Sequence, residues 1–203
     1  MKKFIILILL ITAIIGTSCK KKTDDTPPPS PTVSTLAVVG TTWTSGTLGN
    51  ITISQVSGSD VIVTGTYNGT SMSIPGKLTT DEFDDYFYSN GDKSKPYTLV
   101  NFNDAAGTQY KFNVGSSQVV RTIVSKSTTD DTYISALGMY IKTSKVKEDV
   151  PSGLTVNGKL TKTKTIYWSI NHKFGVVYAQ VVQTDGTILE FPLTSTNAGA
   201  GTK

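Results

Sequence analysis

The sequence predicts an all-β domain, an antiparallel sandwich or barrel built of hairpins, with one or two short helices on its connections. From about Val33 onward the chain is rich in Thr, Val, Ile and Tyr, which favour strands. Turn residues recur at the spacing of roughly eight to twelve positions that is typical of all-β domains. Two of the turns, Asn68-Gly69 and Asp185-Gly186, supply the positive φ angles that tight hairpins need.

Ten candidate strands lie between these turns. In the clearest of them, Ile166, Trp168 and Ile170 share one face, and the residues between them form the other face. The predicted strands span residues 50–56, 60–67, 71–74, 97–103, 109–114, 118–125, 154–160, 165–171, 176–184 and 187–193.

Two stretches favour short helices on the connections. Thr79 and Glu82 have the spacing of a capping box and precede the apolar Phe83. Residues 128–131 repeat that spacing more weakly. The alternation of apolar residues over 133–141 fits a strand equally well, so this second element stays open between helix and strand.

The first nineteen residues have the order of a secretory signal. Lys2 and Lys3 are followed by an apolar run over 4–15, by small residues at 16–18 and by Cys19. The apolar run is shorter than the roughly 20 residues that span a bilayer. We therefore predict a signal peptide over residues 1–18.

Cys19 is the only cysteine in the chain, so it has no disulfide partner within it. A signal that ends at such a cysteine resembles those of bacterial lipoproteins, which implies that Cys19 carries the lipid. The sequence Cys19-Lys20-Lys21, with Asp24 and Asp25 close behind, is similar to the start of Bacteroidota lipoproteins. This resemblance implies an outer-membrane protein that is displayed on the cell surface or faces the periplasm. Two acyl chains suffice to hold a protein stably in a membrane.

Residues 19–32 are predicted to be a tether and residues 33–203 a single domain. The tether is rich in proline, which favours an extended polyproline II spacer. About 170 residues bury roughly 70% of their unfolded surface, enough for one core without disulfides. Loss of Lys2 and Lys3 with the signal lowers the formal charge from +4 to +2. We therefore expect no nucleic-acid partner.

The inventory of catalytic side chains is small. His172 is the only histidine, Cys19 is the only thiol, and no serine lies in a Gly-x-Ser-x-Gly turn. Zinc normally takes three or four His, Cys or carboxylate ligands. We therefore predict a protein without enzymatic activity, cofactor or metal.

An acidic and aromatic stretch is the predicted ligand-binding site. It contains Asp84, Asp85, Tyr86, Tyr88 and Tyr97. Surface aromatic rings stack on sugars, so a glycan is the expected ligand, with an envelope protein as the alternative partner. The carboxylates are also suited to bind calcium. Alternatively, they bind nothing and only stabilise the first turn of a helix through its dipole.

Two other functions stay open. Gly40-Thr41-Thr42-Trp43 resembles, with one residue more, the Gly-x-Trp of the first lipocalin strand, which implies a barrel that carries a small apolar ligand in its cavity. A glycan-active enzyme would instead need two carboxylates roughly 5 to 10 Å apart across a groove.

The anchor leads to the first prediction. Cys19→Ser should move the protein from the detergent phase to the aqueous phase in a Triton X-114 partition and abolish incorporation of labelled palmitate. The reason is that each buried methylene contributes about 0.8 kcal/mol to membrane binding. Ser18→Ala, which keeps the thiol, is the matched control and should partition like the parent. Retention of Cys19→Ser in the detergent phase would contradict the predicted acylation.

Overall fold

The structure is a computed structural model that describes residues 32–46, 49–67, 70–89, 92, 94–156 and 159–199. In this part of the chain there are sixteen strands and no helix. The predicted signal, Cys19 and nearly all of the tether lie outside the described residues, as does the Asn68-Gly69 turn. The strands are β1 Thr42–Ser45, β2 Gly49–Ser57, β3 Asp60–Tyr67, β4 Thr70–Leu78, β5 Glu82–Asp85, β6 Tyr97–Asn101, β7 Gln109–Val114, β8 Ser117–Lys126, β9 Thr132–Ile134, β10 Met139–Ile141, β11 Ser144–Asp149, β12 Thr155–Val156, β13 Lys159–Leu160, β14 Thr163–Asn171, β15 Gly175–Gln183 and β16 Ile188–Thr196.

Twelve strands form one antiparallel sheet in the order β6-β5-β4-β3-β2-β1-β16-β15-β14-β11-β8-β7. The hairpins β9–β10 and β12–β13 are insertions, and without them nearly every strand lies beside its neighbour in the chain. Because β1 also pairs with β16, the sheet curls into a nearly closed barrel, and among the described strands the unpaired seam lies between β6 and β7. The all-β prediction is confirmed in its barrel form.

The helix predicted after Thr79 is wrong, because this stretch becomes strand β5. The amide of Glu82 does donate to Thr79 Oγ1 at 2.9 Å, as in a capping box. Here, however, the Thr79 amide also donates to the Glu82 carbonyl at 2.9 Å, so the same spacing closes a turn between β4 and β5. Phe83 then pairs with Leu78 on one side and Val100 on the other. Pairing along both edges outweighs the local helix signal.

The second stretch is a strand hairpin, as its alternation allowed. Tyr133 pairs with Tyr140 across β9 and β10. Ile134 and Ile141 point the other way and are 8% and 3% exposed. The predicted strand over 154–160 is reduced to the short pair β12 and β13.

The sequence did not predict strand β11. Its residues alternate between Lys145 and Lys147 on the outside and Val146 and Glu148 on the inside. A buried glutamate breaks the expected apolar period, and this hid the strand.

One end of the barrel, here called the capped end, is covered by the segments that flank the sheet. Leu36, before β1, and Ala198, after β16, pack into the main buried cluster together with Ile123. Trp43 at the start of β1 donates from Nε1 to the Phe174 carbonyl at 2.7 Å. The other cluster members are Phe83, Val100, Val146 and Ile170.

Residues Pro31–Lys203 form one compact unit, and every described strand and buried cluster lies within it. This segment therefore contains the core that it needs in order to fold.

Candidate functional site

Strand alternation separates the five residues of the predicted ligand site. Asp85, Tyr88 and Tyr97 come together inside the barrel around Arg121. Asp84 and Tyr86 lie apart from that centre and are only 6% and 3% exposed. The five side chains therefore do not form one exposed platform.

Arg121 is the only arginine in the chain, and it is 2% exposed on the inner face of β8. Its Nε donates to Glu148 Oε2 at 2.8 Å, and its Nη2 lies 2.7 Å from Asp85 Oδ2. Glu148 itself is 1% exposed. Burial by itself lowers the pKa of Arg121, but the two carboxylates raise it above the ordinary value. The guanidinium therefore stays charged.

The second oxygen of Glu148 accepts a hydrogen bond from the Tyr88 hydroxyl. Trp168 Nε1 donates to Oε2 at 3.4 Å. Burial and the neighbouring Glu148 raise the pKa of Tyr88, which keeps the hydroxyl protonated as a donor. Burial also raises the pKa of Asp85, and Arg121 offsets part of that rise. These four residues, Arg121, Glu148, Asp85 and Tyr88, are called the Arg121 centre below.

The Arg121 centre closes the seam between β6 and β7. Arg121 Nη1 donates to the carbonyls of Tyr97 at 3.0 Å and Thr98 at 3.2 Å. The Tyr97 ring stacks on Phe112 of β7 with centroids 4.2 Å apart. Arg121 Cζ lies 5.0 Å from the centre of the Phe112 ring, within the range of a cation–π contact.

Two further side chains bridge the same seam nearer the capped end. Lys126 Nζ donates to the carbonyls of Phe102 at 2.5 Å and Asp104 at 2.6 Å. The Tyr110 hydroxyl accepts from the Asn101 amide at 3.0 Å and donates to Asp104 at 2.8 Å. At the seam, side chains thus bond backbone groups of β6 and of the loop after it, namely the Asn101 amide and the carbonyls of Phe102 and Asp104.

Sequence reasoning missed the Arg121 centre, although a signal was present. Val119, Arg121 and Ile123 occupy alternate positions of one predicted strand. A lone arginine on an apolar face, in a chain otherwise supplied with lysine, indicates a buried site that needs a planar group with several donors.

Asp84 is a buried acid with an incomplete set of partners. Burial and the nearby Glu82 raise its pKa from 3.8 to about 6, against the opposing effects of Thr98 and Lys77. Its Oδ1 has no hydrogen-bond partner among the described residues. Over the same part of the chain, no three His, Cys, Asp or Glu side chains are grouped so as to hold a metal ion.

Six apolar side chains line the inner wall at the end of the barrel opposite the capped end. They stand in cross-strand rows, as where Ile166 pairs with Val181 and Val181 pairs with Leu189. Paired residues of neighbouring strands project to the same side of the sheet. That side is the interior, because Ile51 and Ile166 share a face with the fully buried Ile53 and Ile170 of their own strands. This six-residue lining consists of Ile51, Met72, Ile74, Ile166, Val181 and Leu189.

All six side chains are partly exposed, and exposure falls along the same strands toward the capped end. On β16, Leu189 is followed by Phe191 at 8% and Leu193 at 5% exposure. On β2, Ile51 is followed by Ile53, which is fully buried. None of the six belongs to the four packed clusters that the described residues form. The lining therefore borders an end of the interior that solvent reaches.

A separate cleft of about 550 Å³ lies on the outer face of the sheet. The outward residues Gln118, Val120 and Asp149 form its floor, and residues 150–152 form one side. It has no part in the Arg121 centre or in the six-residue lining.

No protein-family model, curated protein or solved structure matches this chain. Within the described residues, no helix is long and apolar enough to cross a membrane.

The Arg121 centre gives a stability prediction. Arg121→Met should lower the free energy of unfolding by about 3–5 kcal/mol, because Glu148 and Asp85 would stay buried without a cation. In urea denaturation this deficit should shrink at low pH, where the carboxyls take up protons. Lys111→Met, which removes an exposed cation from neighbouring β7, is the control and should change stability by less than about 0.5 kcal/mol. Equal effects of the two substitutions would contradict the assigned role.

Asp84 gives a pH-dependent prediction. Its raised pKa means that the folded state binds a proton more tightly, so folding is favoured below pH 3.8 and loses stability as the pH rises to about 6. Asp84→Asn should therefore stabilise the protein by about 1–2 kcal/mol near neutral pH, with no gain below the ordinary pKa. Thermal denaturation across that pH range measures the difference from the parent. A constant difference at every pH would contradict it.

Proposed function

We propose that this chain is a lipid-anchored, non-enzymatic binding protein of the bacterial outer membrane that holds a small apolar ligand in the uncapped end of its barrel. The six-residue lining is the observation that carries the proposal. It places hydrocarbon and thioether side chains along one wall of an end of the interior that solvent reaches, beside the Arg121 centre. The mouths of β-barrels are among the places where proteins bind small ligands.

The Arg121 centre restricts the chemistry of the ligand. Its one cation is already matched by Glu148 and Asp85, and its guanidinium also donates to two backbone carbonyls. The Arg121 centre therefore has no free cation to pair with an acidic group of a ligand, and burial of an unpaired charge is costly. We infer a ligand that is neutral where it enters the barrel, such as an acyl chain whose head group stays at the rim.

The burial of the predicted aromatic site favours this function over a glycan platform at that site. Tyr86 is almost fully buried, the Tyr88 ring lies against Arg121, and the Tyr97 ring stacks on Phe112. The resemblance of Gly40-Thr41-Thr42-Trp43 to a lipocalin first strand also implies an apolar cavity. Asp84 and Asp85, adjacent in sequence, lie in different surroundings, and the carboxylate that shares Arg121 with Asp85, Glu148, is 1% exposed and bound in the ion pair, which favours the glycan-active alternative less.

The proposed anchor completes the function. Acylated Cys19 would keep the barrel at the membrane surface, and the proline-rich tether would space it from the bilayer. A carrier in this position would take up apolar molecules at the cell envelope, or present them to an envelope partner.

Binding of the neutral fluorescent probe N-phenyl-1-naphthylamine and of cis-parinaric acid tests the proposal. The parent protein should bind both with a saturable rise in fluorescence. Leu189→Lys should weaken binding at least roughly tenfold, since each 1.4 kcal/mol is a factor of ten and a desolvated ammonium costs more than that.

Ile188→Lys is the matched control, because Ile188 is the preceding residue on the same strand and is 57% exposed. It should leave the affinity unchanged. Absence of saturable binding by the parent, or equal losses in the two variants, would refute a ligand site at the lining.

A further inference from the structure

Of the exposed large apolar side chains of the described residues, more lie at the capped end of the barrel than at the opposite end. Val38 and Val39, on the segment before β1, are 56% and 61% exposed. Tyr133, Met139 and Tyr140, on the β9–β10 hairpin, are 55%, 46% and 58% exposed. These five residues are called the capped-end patch. Exposure of so much apolar surface at one end of a domain marks an interaction site.

The hairpin part of the patch is held firmly from beneath. Ile134 and Ile141 on its inner face join a buried cluster with Val177 and Leu193. On the outer face the rings of Tyr133 and Tyr140 lie 5.1 Å apart. The packed inner face of the hairpin therefore holds the two tyrosines in their outward orientation.

The chain enters the barrel at this same end. Val33 forms a bridge with Thr79 in the β4–β5 turn, and the Thr80 amide donates to the Thr32 carbonyl at 2.9 Å. As a polyproline II spacer of about 3.1 Å per residue, the sequence from Cys19 to Thr32 would span roughly 40 Å. A lipid at Cys19 would thus be joined to the barrel at the capped end, where the patch lies, and not at the end with the six-residue lining.

We propose that the capped-end patch rests on the lipid surface of the membrane in which the protein is anchored. The inference depends on the anchor of the proposed function. Tyrosine is suited to this contact because its ring is apolar and its hydroxyl remains at the level of the head groups. Exposed Lys142, which follows β10, adds attraction to anionic lipid. The lining at the other end then faces away from the bilayer and stays open to ligand.

The test attaches the protein to vesicles through its N-terminus, so that it does not depend on acylation of Cys19. Residues 20–203 with an N-terminal histidine tag would be bound to vesicles of phosphatidylethanolamine, phosphatidylglycerol and a nickel-chelating lipid. With Cys19 absent, one cysteine can be introduced and labelled with a fluorescent dye. Ser135→Cys reports on the β9–β10 turn, and Asp185→Cys reports on the turn at the opposite end.

Doxyl-labelled lipid should quench the dye at position 135 several-fold more than the dye at 185. Adding Tyr133→Ser and Tyr140→Ser to the labelled protein should abolish the excess, because the tether alone does not seat the patch. Tyr167→Ser, which removes an exposed tyrosine from the barrel wall, should preserve it.

Equal quenching at the two positions would overturn the proposal, as would quenching at 135 that survives loss of both tyrosines. Protection of the dye at 135 from an aqueous quencher without lipid, rising with protein concentration, would assign the patch to a second copy and also overturn it. A negative result with the tagged protein refutes the membrane contact alone, whereas loss of palmitate at Cys19 refutes the anchor.

Discussion

The buried ion pair between Arg121 and Glu148 is the interaction on which the barrel depends. An antiparallel sheet of twelve strands closes only if its two last edges meet, and here β6 and β7 do not pair through their backbones. Arg121 bridges that seam, since it reaches Glu148 on β11, Asp85 on β5 and two carbonyls of β6 from its place on β8. A buried ion pair often adds little net stability over an apolar replacement. What it adds here is a set of directed donors for the carbonyls of Tyr97 and Thr98 on the strand beside the seam.

The closure makes the interior of the barrel asymmetric. Large polar and aromatic side chains gather beside the seam, where the Tyr88 and Phe112 rings face the guanidinium and the Tyr97 ring stacks on Phe112. Farther from the seam, the inner face carries the apolar residues of the six-residue lining, which meets the Arg121 centre where Ile166 pairs with Glu148. The segments before β1 and after β16 fill the capped end. Solvent therefore reaches the inner apolar wall at the other end, where we propose that the ligand binds. The proposed ligand site is therefore a consequence of how the seam is closed, and the proposed membrane contact uses the other end.

The sequence predicted the strands correctly where apolar alternation and turn residues agreed. The prediction failed where one local pattern is compatible with both a helix and a strand. The Thr79–Glu82 spacing forms its expected side-chain hydrogen bond, yet it turns the chain into β5, because β5 pairs with β4 on one side and β6 on the other. Strand β11 went unpredicted because Glu148 faces inward, and only its distant partner Arg121 makes that position tolerable. The five residues of the predicted ligand site were gathered by sequence proximity, whereas a strand sends neighbouring side chains to opposite faces.

By itself, the sequence determined the features that local chemistry sets: the all-β class, most hairpins, and the expectation of a lipid on Cys19. Composition and period suffice for these because β-branched residues, Asn-Gly and Asp-Gly turns and an apolar leader act over a few neighbouring residues. The tertiary structure alone decided that the sheet curls into a barrel, that Arg121 closes it, and that Tyr133 and Tyr140, and not Tyr86 and Tyr88, are the exposed aromatic pair. These outcomes rest on contacts between residues far apart in the chain, whose pairing depends on register and burial across the whole sheet.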